Sequence, residues 1–310
     1  MTAPPSLSSN GATPPRADGC TVEISFVVPL FNHLQHTQAM LQSLLASLPS
    51  GLVYEVILVD DFSTDGTRAW LATLNHPRIK TLLNPENLGY AASNNAGASL
   101  ACGELLGLLN NDLLLDPGWL EPMIHVLRHP GLNAGLVGNV QYRVDDGRLD
   151  HAGVQLNHRG QFEHVQSLPV NGLGYQRSLA ITGACLLIRK VDFNSAGGFD
   201  EGFINGCEDL DLCFKIRTSG KQLFVALDSH VRHHVSLSRD GQTLQHLRNS
   251  QRLYSRWRIL IKHNLARRVI TSIHSGTGMH SAALMISENL IQAEEACWSR
   301  TPSYTSDNGE

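Results

Sequence analysis

The sequence has no apolar run approaching the roughly 18 residues that a membrane-spanning helix needs. Its best candidates, residues 22–30 and 179–188, have the length of strands. The first residues lack a basic stretch followed by an apolar one, so no secretory signal is expected there. The six cysteines, at positions 20, 102, 185, 207, 213 and 297, form no C-x-x-C pair. Scattered in this way they predict buried free thiols in a reducing, cytoplasmic setting. No G-x-G-x-x-G follows the first apolar strand, where Pro29-Leu30-Phe31-Asn32 stands instead. That argues against a dinucleotide-dependent oxidoreductase. Basic residues are not in excess: 24 Lys and Arg face 28 Asp and Glu, for a net charge of −4. A nucleic-acid-binding surface is therefore not expected. What is present is a globular balance, 42% hydrophobic and 17% charged over 310 residues, enough for one large domain. The 15 histidines are numerous for this length and raise the question of bound metal.

Residues 1–20 carry Pro4, Pro5, Pro14 and Pro15 without apolar periodicity and read as a disordered leader. Residues 299–310 read as a similar polar tail. Between these ends, strand-like and helix-like patterns alternate. Strands are expected at 23–30, 53–59, 78–83 and 104–109, and helices at 36–48, 68–74 and 91–101. A further helix is expected from Asp116-Pro117, with Asp as its cap and Pro in its first turn. This order predicts an α/β fold, a mostly parallel sheet flanked by helices. From about residue 134 the pattern turns to short strands at 135–142, 154–156 and 162–165, and a longer one at 179–188. A helix follows at 208–218 and a strand at 223–227. The expected organisation is one domain over 21–240. It comprises a nucleotide-binding half (21–115) and an acceptor half (116–240), followed by C-terminal helices over 241–298.

In open parallel sheets, ligands gather at the carboxyl ends of strands. Two such ends carry acids in polar loops, Asp60-Asp61 and Asn110-Asn111-Asp112. A third acidic group, Glu208-Asp209-Leu210-Asp211, opens a helix. A sugar-nucleotide site needs an acceptor for base or ribose hydrogen bonds and an oxygen ligand for a phosphate-bridging divalent metal. It also needs a carboxylate that deprotonates an attacking hydroxyl. The three groups supply one of each. Singly, each has a plainer reading: a turn with a cap at Thr64 or Asp65, a strand-ending turn, or acids that favour a helix N-terminus.

These loops stand in an ordered set of motifs that resembles glycosyltransferase family 2 and its GT-A fold. The likeness spans about residues 22–240. It rests on Val27-Val28-Pro29-Leu30-Phe31-Asn32, Val59-Asp60-Asp61-Phe62-Ser63-Thr64-Asp65-Gly66-Thr67 and the Asn87-Leu88-Gly89-Tyr90 segment through Gly97. It continues through Leu109-Asn110-Asn111-Asp112, Thr182-Gly183-Ala184, Gly197-Gly198-Phe199-Asp200-Glu201, Glu208-Asp209-Leu210-Asp211 and His233-His234-Val235-Ser236. The most similar subset is the bacterial transferases of rhamnose and related sugars onto surface polysaccharides. The resemblance implies that Pro29 and Phe31, with Asn32 beside them, wall the nucleobase. It implies that Asp61 bonds the base while Asp60 supports the loop. Asp112, with Asn111 beside it, matches the last acid of the metal motif. His233 matches a metal ligand, with His234 as a substitute. Asp209, or its neighbour Glu208, matches the catalytic base. The implied activity is inverting transfer from a nucleotide-diphosphate sugar to a hydroxyl of a glycan or lipid-linked acceptor, assisted by Mg²⁺ or Mn²⁺.

Two departures stand out. Asn-Asn-Asp offers one carboxylate, which predicts weak metal binding without the nucleotide. Cys207 stands where many relatives carry an aromatic residue, so sugar specificity does not carry over. A non-catalytic sugar-nucleotide-binding protein would keep Asp61 but could dispense with Asp112 and Asp209. A sugar-phosphate nucleotidyltransferase would carry a glycine-rich, arginine-containing loop where residues 29–32 stand.

Residues 252–268 hold Arg252, Arg256, Arg258, Lys262, Arg267 and Arg268 and no acid. Leu253, Trp257, Leu260, Ile261 and Leu265 recur at helical spacing, which makes an amphipathic basic helix. One reading lays it on the anionic inner face of a membrane as a peripheral contact. The other packs its apolar face on the domain. Asp211 reads as a structural or solvent-facing acid. The region 143–178, with His151, His158, His164, Tyr175 and Arg177, reads as acceptor-facing.

Overall fold

The computed structural model of the chain describes residues 22–157, 160–169, 172–234 and 244–274. The expected leader, the tail and residues 275–298 of the expected C-terminal helices lie outside the described residues, as do Cys20, Cys297 and His158. The elements of the first half are β1 (Ile24–Leu30), α1 (Leu34–Ser47), β2 (Tyr54–Asp60), α2 (Thr67–Leu71), β3 (Ile79–Leu83), α3 (Gly89–Leu100), β4 (Leu105–Leu109) and β5 (Leu113–Leu115). The second half adds α4 (Leu120–Arg128), β6 (Ala134–Arg143), β7 (Leu149–His151), β8 (Val154–Leu156), β9 (Phe162–His164), β10 (Tyr175–Arg177) and β11 (Cys185–Arg189). It ends with α5 (Lys190–Ser195), α6 (Glu208–Thr218), β12 (Gln222–His233) and α7 (Leu244–His274).

One sheet runs in the order β10-β12-β6-β11-β4-β1-β2-β3, with β5 added to β12 and β7 to β6. The first half is parallel, β4-β1-β2-β3. β11 is antiparallel to both β4 and β6, so it joins the parallel half to a second parallel pair, β6 and β12. The sheet is therefore mixed. Both faces are covered, which is why the strands read as continuous apolar runs. Ile24, Phe26, Val28 and Leu30 meet α1 and α4 on one face, while Val27, Ile57 and Val59 meet α3 on the other. Gly97 of α3 is the close-approach point. A Cβ there would lie 2.4 Å from Val27 and 3.0 Å from Val59.

Three expected elements differ. Helix α4 begins at Leu120, not at Asp116. Gly118 at φ +91° breaks the helical run, and Asp116 instead pairs with Arg232 at 3.1 Å. The apolar run 179–188 is not one strand. Only Cys185–Arg189 is extended, because a turn at Gly183-Ala184 interrupts it. Strand β12 extends beyond Leu227 to His233 through an irregularity between Ala226 and His230. The four described cysteines are free, with Cys185 and Cys213 buried.

Among the described residues no helix is long and apolar enough to cross a membrane. Helix α7 kinks at Trp257 and packs Leu253 and Ile261 on Phe203, Phe214 and Leu156. Its cations are used locally. Arg252 reaches Asp200 at 2.9 Å, and Arg256 bridges Asp200 at 2.6 Å and Asp211 at 2.8 Å. Trp257 Nε1 also donates to Asp211 at 2.8 Å. Asp211 is thus a buried anchor, and this part of the helix follows the packing alternative.

Two predictions follow from this packing. Gly97→Ala should lower unfolding free energy by about 1–3 kcal/mol in a urea melt, although alanine is the better helix former. The second concerns Asp200. Burial pushes its carboxyl up, but the hydrogen bonds from Arg252, the Gly202 N–H and Arg256 prevail and bring it to about 2. A folded pKa below the unfolded one means that its stabilisation is present above about pH 4 and is lost as pH falls toward 2. Melting temperatures of the wild type and Asp200→Asn, taken from pH 6 downward, should therefore converge across that window.

Candidate active site

The loop after β2 is tied down by its own acids. Asp60 is fully buried, and its Oδ2 accepts from Arg68 Nε at 2.6 Å and the Ser63 N–H at 3.2 Å. Arg68 also donates to the Asn84 carbonyl. Asp61 turns the other way. Its Oδ1 accepts from the Leu88 N–H at 2.8 Å and Asn84 Nδ2 at 2.9 Å, and its Oδ2 from the Gly89 N–H at 2.8 Å. Helix α3 has no side-chain cap from its own N-cap residue, Leu88. Asp61 supplies one from a distant loop. Among the described residues, one lone pair on its Oδ2 stays uncommitted. Asn32, in the left-handed region at φ +57°, accepts the Thr64 N–H at 2.8 Å, and its own N–H donates to Ser63 Oγ. Asn32 therefore stitches the loop after β1 to the loop after β2. Those two loops expose Phe31 (49%) and Phe62 (42%), unlike the other phenylalanines, while Pro29 is half-buried at the end of β1. Asp65 caps α1 through the Leu34 N–H and Thr67 at the start of α2, the plainer role open to it in the sequence.

Topology brings the second group together. β5 pairs antiparallel with β12, matching Leu113 with His233, and the His234 N–H donates to the Asp112 carbonyl at 3.1 Å. His233 Nε2 consequently lies 3.1 Å from Asp112 Oδ1, with both side chains largely buried. The pair is close enough for charge attraction, but neither Asp112 Oδ1 nor His233 Nδ1 has an aligned hydrogen bond. Orphaned buried atoms of this kind need an explanation, and an oxygen and a nitrogen donor side by side fit a divalent cation. Among the described residues no set of three or more His, Cys, Asp or Glu is gathered to hold a metal. A cation at Asp112 and His233 would take its other ligands from water and substrate phosphate. Asn111 does not join the pair: its Nδ2 donates to Thr37 Oγ1 at 2.9 Å, anchoring the loop to α1. His234 packs edge-on against His36, with ring centroids 4.7 Å apart. Burial, and then His36, lower its pKa.

The third group opens α6. Asn205 and Cys207 both stand at positive φ before it, and the Gly206 N–H donates to Glu208 Oε2 at 2.6 Å. Glu208 is buried. Burial first, and then the charge of Asp209, push its carboxyl well above the usual carboxylate range. Asp209 is half-buried and accepts two backbone N–H groups, from Gly183 on Oδ2 at 3.0 Å and from Leu210 on Oδ1 at 2.8 Å. Two more side chains stand near these groups, Tyr90 of the Asn87–Tyr90 motif and His151 of the stretch expected to face the acceptor. Tyr90 donates to the Gly183 carbonyl at 2.7 Å. His151 is wholly buried with neither ring nitrogen hydrogen-bonded, and burial, followed by His164 and His233, holds its pKa well down.

Comparison with known proteins agrees with this architecture. The chain is 32% identical over 229 residues to the uncharacterized protein y4gI of Sinorhizobium fredii, covering 70% of this chain and 25% of that protein. It is 31% identical over 235 residues to the O-antigen biosynthesis protein RfbC of Myxococcus xanthus, covering 72% of this chain and 18% of that one. The chain thus spans a quarter or less of these two relatives. Among solved structures, GalNAc-T7 with UDP, GalNAc and Mn²⁺ superposes with a TM-score of 0.67 at 18% identity, covering 88% of this chain and 54% of that chain. That likeness shows the fold. Residues 25–193, more than half of the sequence, match the profile of Glycosyl transferase family 2, and the chain belongs to that family.

Proposed function

We propose that this domain transfers a glycosyl group from a nucleoside-diphosphate sugar to a hydroxyl of a glycan or lipid-linked acceptor, with inversion at the anomeric carbon. The observation that carries the reading is the pair Asp112 Oδ1 and His233 Nε2, 3.1 Å apart and largely buried, in a domain whose α6 opens on two carboxylates without an ion pair among the described residues. The UDP and Mn²⁺ named with GalNAc-T7, a structure of the same fold, support a nucleotide and a divalent cation as ligands. When bound by Asp112 and His233, Mg²⁺ or Mn²⁺ would offset the charge of the departing diphosphate.

The chain's own groups do the rest. Phe31 and Phe62 offer exposed rings against which a base can stack, with Pro29 behind them. Asp61 has one Oδ2 lone pair left for a base or ribose N–H or O–H, while Asp60 keeps the loop in shape. Asn32 fixes the two loops relative to each other, and Asn111 holds Asp112 in its turn. Asp209 accepts the proton of the acceptor hydroxyl as that oxygen attacks the anomeric carbon. The bond to the diphosphate breaks on the opposite face, so one displacement and one base suffice. Burial, and then the charge of Asp209, push the Glu208 carboxyl well above the usual carboxylate range, which disfavours Glu208 as the ionised base.

The test is release of UDP, GDP or dTDP from a panel of sugar nucleotides, with and without Mn²⁺. Asp112→Asn and Asp209→Asn should each lower turnover by about 10²-fold or more while melting within a few degrees of the wild type. Full activity in Asp209→Asn and Glu208→Gln alike would remove the base assignment. Nucleotide binding without turnover in the wild type would favour a non-catalytic binder instead.

A further inference from the structure

The base reading above leaves out Tyr90, yet the support of Asp209 converges on that side chain. The Gly183 N–H donates to Asp209 Oδ2 at 3.0 Å, and the Gly183 carbonyl accepts from the Tyr90 phenol at 2.7 Å. Gly183 is therefore pinned on both sides. A Cβ at that position would lie 2.9 Å from the Tyr90 hydroxyl, so glycine is what lets the phenol close on the backbone. Asp209 Oδ1 is occupied by the Leu210 N–H, so the Gly183 bond completes the fixing of the carboxylate plane.

Tyr90 is itself well anchored. Its N–H points to Asn205 Oδ1 at 3.4 Å, and its ring packs edge-on against Phe199 with centroids 5.7 Å apart. It sits in the first turn of α3, whose start Asp61 holds. Burial, and then the charges of Glu208 and Asp209, keep the phenol protonated, so at neutral pH it remains a donor.

We propose that Tyr90 is a positioning residue for the base: through the Gly183 turn it holds the Asp209 carboxylate in one orientation. The proposal rests on the assignment of Asp209 as base, and its test separates the two. Tyr90→Phe deletes the hydroxyl and keeps the ring on Phe199. In the substrate-free protein, hydrogen exchange of the Gly183 amide should quicken by about tenfold or more, with the Gly97 amide unchanged. In nucleoside-diphosphate release from the best donor of the UDP-, GDP- and dTDP-sugar panel, kcat should fall by about tenfold with donor KM within about twofold. In an Asp209→Asn background, the same change should have little further effect, because the two act as a unit. Unchanged Gly183 exchange would overturn the proposal, as would a wild-type kcat beside an impaired Asp209→Asn, or losses that add in full. A wild-type rate in Asp209→Asn would overturn the base reading, and the proposal with it.

Discussion

The Asp61 carboxylate is the interaction on which the rest of the site depends. Helix α3 begins at Gly89 with exposed donors and no cap of its own, and Asp61 meets the Leu88 and Gly89 N–H groups from the loop after β2. Hydrogen bonds of this charge-assisted kind contribute about 1.5–3 kcal/mol each, and the helix N-terminus adds its own attraction for the anion. Asn205 meets the next N–H, that of Tyr90, from the loop before α6. One helix start therefore ties the nucleotide-side loop to the base-side loop. Asp60, next to Asp61, is locked by Arg68, so the loop cannot swing to release the cap.

The Asp112 and His233 pair comes from a different constraint. Neither residue is positioned by its own neighbours in sequence. The short strand β5 turns back and adds to β12, which sets Leu113 opposite His233 and brings the preceding carboxylate to the imidazole. Because β12 also runs beside β6 in the middle of the sheet, the pair stands on a backbone held from two sides. A site fixed in this way resists loop motion, and precision of placement is what a weakly held cation shared with substrate requires.

Much of this was legible in the sequence, and the misses have physical causes. The alternation that located β1 to β4 and α1 to α3 was readable because β1, β2 and β4 are buried on both faces and each helix on one. The second half was harder. Leu179–Ile188 is uniformly apolar, yet Gly183 must turn there because Tyr90 and Asp209 close on it, a demand invisible to periodicity. Asp116-Pro117 has the residues of a helix start, but Gly118 takes a positive φ and delays the helix to Leu120. The apolar stripe of α7 was evident, whereas its covering was not. Arg252 and Arg256 look like free cations until Asp200 and Asp211 are seen beneath them. The loop acids stand out as candidates by their place at strand ends, but their individual roles come from the resemblance. That resemblance could not foretell that Asp61 spends most of its capacity on a helix start.

The acids themselves offer a way to separate framework from function. Buried carboxylates are costly unless compensated, and most of those described here are matched to a cation. Glu55 has Lys80, Asp60 has Arg68, Asp192 has Lys221, and Asp211 has Arg256 and Lys215. Asp61 is compensated by backbone N–H groups and the Asn84 amide instead. Glu208 and Asp209 differ: among the described residues neither has an ion pair, and Asp112 has only a histidine whose second nitrogen is orphaned. Among the described buried acids, Asp112, Asp150 and Glu208 have no Lys or Arg partner, and Asp150 has only His164, at 3.7 Å. Under the proposed function, a cation and a polyphosphate would balance Asp112, and Asp209 would receive a proton. The net charge of −4 hides this division, because most of the buried acids cancel against cationic partners.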